Sequence, residues 1–313
     1  MDRLTCTGPI PDRLRGAVVA LGNFDGFHRG HQAVVAAAVA RGRAEGRPVL
    51  VASFDPHPVS YFRPDTPSFR LTTLDQRERL FAEAGADAML LFDFNDELAK
   101  LSAADFISDR LIARTGASHV VTGRDFTFGK GRGGNVDVLR EAGAALGLGT
   151  TAVDAVVDEH GPISSSRIRD ALKAGNCDEA ARLLTRPFRI EGRVQHGDKL
   201  GRTIGFPTAN IDLASYVRPK YGIYAVRGRL PDGRLVDGAA NLGIRPSFDP
   251  PKELLEPHFF GLAEDLYDQL IEVSLIAFIR PEAKYDTLEA LTAQIDADCV
   301  EAKRVLAAKP AIA

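Results

Sequence analysis

The amino-acid sequence predicts an α/β domain, a parallel sheet with helices on both faces, followed by a mostly β, barrel-like domain with a C-terminal helix. Three observations predict it. Short β-rich runs alternate with helical patterns through the first half, runs of β type dominate after about residue 185, and a helical pattern extends from Thr287 towards the C-terminus. The length agrees, since 313 residues exceed the usual size of one domain and suffice for two cores. The expected boundary falls near Arg186-Pro187, giving domains of residues 1–185 and 186–313.

In the first domain the strands are AVVAL (17–21), PVLVASF (48–54), AMLLFDF (88–94), SHVVTG (118–123) and TTAVDAV (150–156), each apolar enough to be buried on both faces. Thr73 with Gln76 forms a capping box before RERLFAEAG, and Ser102 with Asp105 does the same before FISDRLIAR. Strand, helix, strand in succession implies right-handed crossovers. Helix-forming SSRIRDALKAGNCDEAARLLTR then gives way to FRIEGRVQHG, GIYAVRGRLPDGRLVDGAANLG and QLIEVSLIAFIR, with Pro231-Asp232-Gly233 as a hairpin turn.

Composition excludes several classes. Basic residues number 39 against 42 acidic, a formal net charge of −3, so no bulk positive field recruits nucleic acid. The three cysteines, Cys6, Cys177 and Cys299, form no CxxC pair and suggest neither a disulfide framework nor a cysteine zinc site. The N-terminus lacks an apolar signal core, and no run approaches 18 apolar residues. The expectation is a soluble cytoplasmic protein with no membrane partner, either a monomer or a weak homo-oligomer.

Chemistry concentrates in three stretches. In VVALGNFDGFHRGHQAVV (18–35), Gly22 and Gly26 let backbone approach a ligand, and a helix starting near Gly30 aims its amides at an anion. His28 and His31 can donate to phosphate oxygens there, although the residues alone also allow a capping histidine or a weak metal pair. A dinucleotide loop is disfavoured because GxGxxG is absent. In ISSSRIR (163–169), Ser164, Ser165 and Ser166 can cap a helix while Arg169 offers a forked cation for phosphate. In VQHGDKLGRTIGFPTANI (194–211), Gly197, Gly201 and Gly205 suit a loop near a ligand, and Thr208 and Asn210 are hard oxygen ligands suited to Mg²⁺ on nucleotide phosphates. A plain glycine-rich turn before a strand fits those residues as well.

GNFDGFHRGH resembles the GxFDGxHxGH signature of the nucleotidyltransferase superfamily, and ISSSRIR resembles its second motif, ISSTxIR, with Ser166 at the threonine position. SFDPHP (53–58) and GRDFTFGKGRGGNVDVL (123–139) are similar to segments of the bacterial FAD synthetase branch. GRTIGFPTAN resembles the GRxxGFPTAN signature of riboflavin kinases, and YGIYAV, NLGIRPSF, LEPHFF and DLY match further kinase segments in order. From about residue 15 to about residue 303 the order is that of bacterial bifunctional riboflavin kinase/FAD synthetases.

The resemblance implies a Rossmann-like nucleotidyltransferase domain joined to a barrel-like riboflavin kinase domain. Riboflavin, FMN and ATP are then the substrates, with Mg²⁺ accompanying ATP and no nucleic acid involved. For adenylyl transfer it implies His28, His31 and Arg169 as catalytic groups, and Gly22, Asn23, Phe24, Asp25, Ser164 and Ser165 as further ATP contacts. Flavin would meet Phe54, Pro56, His57, Pro58, Asp125, Phe126 and Phe128; many relatives carry Asn at the position of Asp125. The loop Gly129 to Gly134 reads either as a phosphate-facing flap or as a solvated turn. For the kinase it implies Glu256 as base, Gly201, Gly205, Pro207, Thr208 and Asn210 around Mg-ATP, with Thr208 and Asn210 on the metal. Arg245, Tyr267 and Tyr285 would neighbour the flavin. Pro257, Gly261, Ser247 and the LYDQ stretch depart from the usual kinase pattern.

Overall fold

The computed structural model describes residues 1–196, 205–245 and 252–309, so Gly197, Gly201 and Ser247 lie outside the described residues. The chain divides into two compact units, Met1–Pro67 with Leu74–Ser164, and Ser68–Thr73 with Ser165–Ala313.

The first unit holds a six-stranded sheet in the order β1-β4-β3-β2-β5-β6, built from β1 (Asp2–Thr5), β2 (Val18–Leu21), β3 (Val49–Asp55), β4 (Ala88–Asp93), β5 (His119–Gly123) and β6 (Gly149–Val153). Every pairing is parallel. Alternate residues feed two apolar layers. Val18, Ala20, Val49, Val51 and Met89 face one way, and Val19, Leu21, Leu50, Ala52 and Leu90 the other. The inner strands β2, β3 and β4 are therefore apolar nearly throughout rather than alternating, as strands covered on both faces require.

The helices of this unit are α1 (Arg29–Glu45), α2 (Pro58–Phe62), α3 (Leu74–Glu83), α4 (Asp96–Lys100), α5 (Ala103–Asp105) and α6 (Val136–Ala145). Ser102 caps α5 by accepting the Asp105 N–H at 3.1 Å. The chain then widens into π-helical Phe106–Arg114, closed where Thr115 gives both its N–H and its hydroxyl to the Arg110 carbonyl. The sequence pattern does not foresee β1. Its four residues alternate half-buried and exposed and pair on one edge only, so no apolar run marks it.

The second unit opens with α7 (Ser165–Lys173) and α8 (Cys177–Leu184). A closed antiparallel barrel follows, in the order β10-β13-β12-β11-β14-β9, from β9 (Phe188–Gln195), β10 (Asn210–Asp212), β11 (Gly222–Arg229), β12 (Leu235–Arg245), β13 (Lys252–Phe259) and β14 (Leu270–Arg280). The β11–β12 turn is the expected Pro-Asp-Gly, with Gly233 at φ 87° donating to the Leu230 carbonyl at 2.9 Å. Tyr224, Val226, Leu242, Leu255 and Val273 are fully buried. On the alternate face, Ala225, Ala239 and Ile276 are covered by α9 (Leu288–Ala308) through Cys299, Ala302 and Leu306. Thr287 caps α9, accepting the Ala290 N–H at 3.1 Å. Asp298, buried in α9, takes the Arg280 guanidinium at 2.8 and 2.6 Å and ties the helix to the end of β14.

The YGIYAV segment needs its glycine for a steric reason. Gly222 has φ 147°, and a Cβ there would overlap the Arg280 carbonyl and come 2.7 Å from the Phe278 ring. Gly222→Ala is expected to destabilise the barrel by about 3 kcal/mol, through backbone strain and overpacking together. Denaturant unfolding followed by far-UV circular dichroism measures it; a change below about 0.5 kcal/mol, the ordinary surface-substitution range, would show that the strand junction yields.

Candidate functional site

In the first unit the strand order reverses at β2, which has β3 on one side and β5 on the other, so the crevice expected of a doubly wound sheet opens at its carboxyl end. The chain leaves β2 through Gly22 and Asn23, then turns with Phe24 (φ 50°), Gly26 (φ 85°) and Phe27 (φ 47°) in the left-handed region. Two phenylalanines in that conformation cost about 1–3 kcal/mol each unless packing compels it. Here Phe24 meets His31 edge-on at 5.3 Å, and both phenylalanines pack edge-on against Phe81 of α3.

His28 is the N-cap of α1. Its Nδ1 accepts the N–H groups of Gly30 at 3.1 Å and His31 at 3.4 Å. An Nδ1 that accepts carries no proton, so in the neutral ring the proton sits on Nε2 and that edge is a donor. The His31 ring stacks on it, with centroids 3.7 Å apart. Gly30 eases the arrangement, because a Cβ there would stand 3.1 Å from His28 Cε1, tighter than an ordinary contact. The same point lies 3.6 Å from the carbonyl of Ile163, which sets the start of ISSSRIR beside the start of α1.

The Asn23 carbonyl is tied down by Ser53 Oγ at 2.9 Å and by Nη1 of Arg77 at 3.4 Å, and Arg77 also reaches Ser53 at 3.1 Å. Arg77 is only 1% exposed, a buried cation under the loop. Among the described residues Asn23 Oδ1 is buried without a hydrogen-bond partner. Asp25 is also buried. Sequence reasoning missed Arg77; its one signal is a charged residue on the same helix face as Phe81.

The proposed flavin residues fall into two groups. Phe54, Phe126 and Phe128 form a run of nearly parallel rings, 6.5 Å and 5.9 Å apart. Phe92, Phe94 and Phe106, which the sequence reading left out, complete this aromatic wall around Phe54. His57 caps α2, its Nδ1 accepting from Val59 N at 3.1 Å, and Pro58 is the first residue of that helix. Pro56, joined by a cis peptide, and Asp125 are exposed. The Gly129–Gly134 loop is clipped at its ends, where Phe128 and Gly134 exchange both backbone bonds at 3.0 and 2.9 Å, and Lys130 N donates to the Leu101 carbonyl at 2.7 Å.

Ser165 and Arg169 belong to the second unit, on α7. There the Arg169 guanidinium lies over the Phe69 ring at 5.1 Å and donates to its carbonyl at 2.8 Å.

In the barrel, Glu256 of β13 stands opposite Asn241 of β12. Arg245 Nε donates to Glu256 Oε2 at 2.7 Å and Nη2 donates to the same oxygen. The neighbouring carboxylate, Glu253, is engaged differently. Despite burial it is held below the usual carboxylate range by bonds from Tyr221 and Arg218, while burial and Glu253 together push the Tyr221 hydroxyl up to about 12. Thr208 is exposed and Asn210 buried at the start of β10. His258, two residues after Glu256, bonds the Pro207 carbonyl through Nδ1 at 2.9 Å, and Ala209 N donates to the Pro257 carbonyl at 3.0 Å. The strand carrying Glu256 therefore also holds the FPTAN segment, including Pro207 and the turn from Gly205. The register puts Arg245 at one rim of the barrel and Tyr267, stacked on His196 at 3.9 Å, at the other. Tyr285 lies near the Arg245 rim, 5.9 Å from the Arg280 guanidinium.

Comparison with known proteins gives the class first. A family model described as FAD synthetase matches residues 10–167, and one described as riboflavin kinase matches residues 184–306. A bifunctional riboflavin kinase/FMN adenylyltransferase from Escherichia coli is 41% identical over 288 residues, covering 92% of each chain. Namesakes from Pseudomonas fluorescens and Bacillus subtilis are 42% identical over 298 residues (95% of each chain) and 37% identical over 302 residues (94% of each). A crystal structure described as a macrolide-efflux protein from Streptococcus pneumoniae superposes with a TM-score of 0.86 at 31% identity, covering 97% of this chain and 99% of that one. The chain belongs to the bifunctional riboflavin kinase/FMN adenylyltransferase family. Among the described residues no helix is long and apolar enough to cross a membrane.

The capping role of His28 can be read by substitution. Asn also caps helices well, so His28→Asn is expected to keep the thermal midpoint, whereas His28→Ala loses about 1 kcal/mol. Equal midpoints for the two variants, measured by calorimetry, would show that the cap contributes nothing.

Proposed function

We propose that the protein makes both flavin cofactors, phosphorylating riboflavin with ATP to FMN and ADP, then joining FMN to the AMP part of a second ATP with release of pyrophosphate. The observation that carries this reading is the presence of two family matches, in order, over residues whose geometry suits each reaction. The adenylyltransferase is assigned residues 1–185 and the kinase residues 186–313; the kinase match, which starts at residue 184, supports this division, whereas the compact units divide at Ser164/Ser165 and the FAD synthetase match ends at residue 167. The reading also places the protein in the cytoplasm.

In the adenylyl step an FMN phosphate oxygen attacks the α-phosphorus of ATP in line and pyrophosphate leaves. His28, whose cap puts its proton on Nε2, and His31, stacked on it, donate to the phosphate oxygens and stabilise the charge that develops there. Gly22, Phe24 and Asp25 shape the loop, and Asn23 receives a nucleotide donor at its buried Oδ1. Ser164, Ser165 and Arg169 hold the polyphosphate on the strength of their motif. The isoalloxazine stacks on the wall of Phe54, Phe126 and Phe128, bordered by Pro56, His57, Pro58 and Asp125.

In the kinase step Glu256 takes the proton from the riboflavin hydroxyl as its oxygen attacks the γ-phosphorus. Thr208 and Asn210 place a hydroxyl and an amide carbonyl on one short segment, a hard donor pair that fits Mg²⁺ bound mainly through nucleotide phosphates. When bound, Mg²⁺ offsets the phosphate charge. Gly201, Gly205 and Pro207 frame the nucleotide, and Arg245 and Tyr285 border the flavin from one rim of the barrel, whereas Tyr267 stands at the opposite rim, apart from them.

Chromatography of riboflavin plus Mg-ATP reactions tests both halves. His31→Ala is expected to cut FAD formation by roughly 10²- to 10³-fold while FMN accumulates. With Glu256→Gln, FMN formation from riboflavin should collapse while supplied FMN still becomes FAD. Undiminished FAD synthesis by His31→Ala would refute the adenylyl-site assignment.

A further inference from the structure

Glu282 lies just beyond β14, and its carboxylate reaches back over β12. Oε1 accepts from Asn241 Nδ2 at 3.1 Å and from Arg245 Nη1 at 3.5 Å. It fills the space above Gly243, where a Cβ would stand 2.6 Å from Glu282 Cδ. Asn241, Gly243 and Arg245 alternate along one face of β12, the face that also bears Glu256 across the ladder. Glu282 thus sits in the gap left by a glycine, between the residue opposite Glu256 and the arginine bonded to it.

The arginine's grip is one-sided. Nε and Nη2 of Arg245 both end on Oε2 of Glu256, and Oε1 takes no hydrogen bond among the described residues. A guanidinium spread over both oxygens would occupy the lone pairs a base needs. The third nitrogen, Nη1, faces Glu282 Oε1 and the Ile244 carbonyl, both at 3.5 Å, so the guanidinium is held from its far side while Nε and Nη2 meet one oxygen of Glu256 and leave the other for the hydroxyl proton.

We propose that Glu282, steadied by Asn241 and accommodated by Gly243, is a positioning residue for riboflavin phosphorylation, orienting Arg245 and through it the carboxylate of Glu256. The proposal rests on the reading of Glu256 as the base. Glu282 bonds Asn241 and Arg245 and, among the described residues, none of those proposed around ATP, so its loss is expected to lower turnover without weakening ATP binding.

Kinase kinetics on the full chain test this. Glu282→Ala is expected to lower kcat about tenfold, as loss of an outer partner of a catalytic group does, with KM for ATP unchanged. Gly243→Ala, which pushes the Glu282 carboxylate aside, should reproduce that loss, and the Gly243→Ala/Glu282→Ala pair should be no slower than the slower single variant. In a Glu256→Gln background, Glu282→Ala should cost nothing further. An unchanged kcat in Glu282→Ala, or losses at 243 and 282 that multiply, would overturn the proposal. Full kinase turnover in Glu256→Gln would overturn the base assignment instead. If Glu282→Ala fails to fold, Glu282→Gln, which keeps the size and one acceptor oxygen, must show a loss that again vanishes in the Glu256→Gln background.

Discussion

Helix α1 begins directly beyond the carboxyl end of a central strand, and its first backbone amides have no intrahelical partners. A serine or aspartate would satisfy them with a short side chain. This chain uses His28, so the group that satisfies the amides is also an aromatic ring with a second, protonated nitrogen. The cap fixes the tautomer, the tautomer makes Nε2 a donor, and the ring becomes the platform on which His31 stacks. The left-handed Phe24 and Phe27, the pinned Asn23 carbonyl and the buried Arg77 all serve to deliver the chain to that cap at one angle.

A capping residue and a phosphate ligand are competing readings of His28 when only the sequence is in view. In the structure they are compatible, because they use different nitrogens of one ring. The barrel shows the same economy on another scaffold. Glu256 and His258 lie two residues apart on β13, so one strand presents the carboxylate while it grips the segment carrying Thr208. That coupling follows from the period of two along a strand and needs no additional element.

Much of this was legible in the sequence. The inner parallel strands stand out because burial on both faces forces unbroken apolar runs, and the PDG turn and the Ser102 cap mark their elements through local chemistry that tertiary contacts do not override. Other features depend on partners far away in sequence. The strand Asp2–Thr5 pairs only with β4, and Arg77 looks like one more charge on a polar helix until Ser53 and Asn23 are brought over it. Phe92, Phe94 and Phe106 read as core, and only the fold shows them enclosing Phe54. Compactness also assigns Ser165 and Arg169 to the second unit, because α7 packs on α8 and holds residues Ser68–Thr73, contacts no motif encodes.

Glycine joins the two halves of the molecule in a single structural logic. In HRGH a Cβ on Gly30 would stand 3.1 Å from His28 Cε1, tighter than an ordinary contact, and in NLGIR a Cβ on Gly243 would overlap the Glu282 carboxylate, 2.6 Å from its Cδ. Neither glycine owes its place to a positive φ, since neither adopts one. Each makes room for a side chain that lies against the backbone, His28 from two residues earlier and Glu282 from beyond β14, where it meets main-chain amides in one case and a neighbouring guanidinium in the other. A glycine inside a helix start or a strand costs about 0.5–1 kcal/mol relative to alanine. That cost is borne where a charged or hydrogen-bonding group has to be brought to a single orientation, which is the condition a phosphate-transferring site imposes.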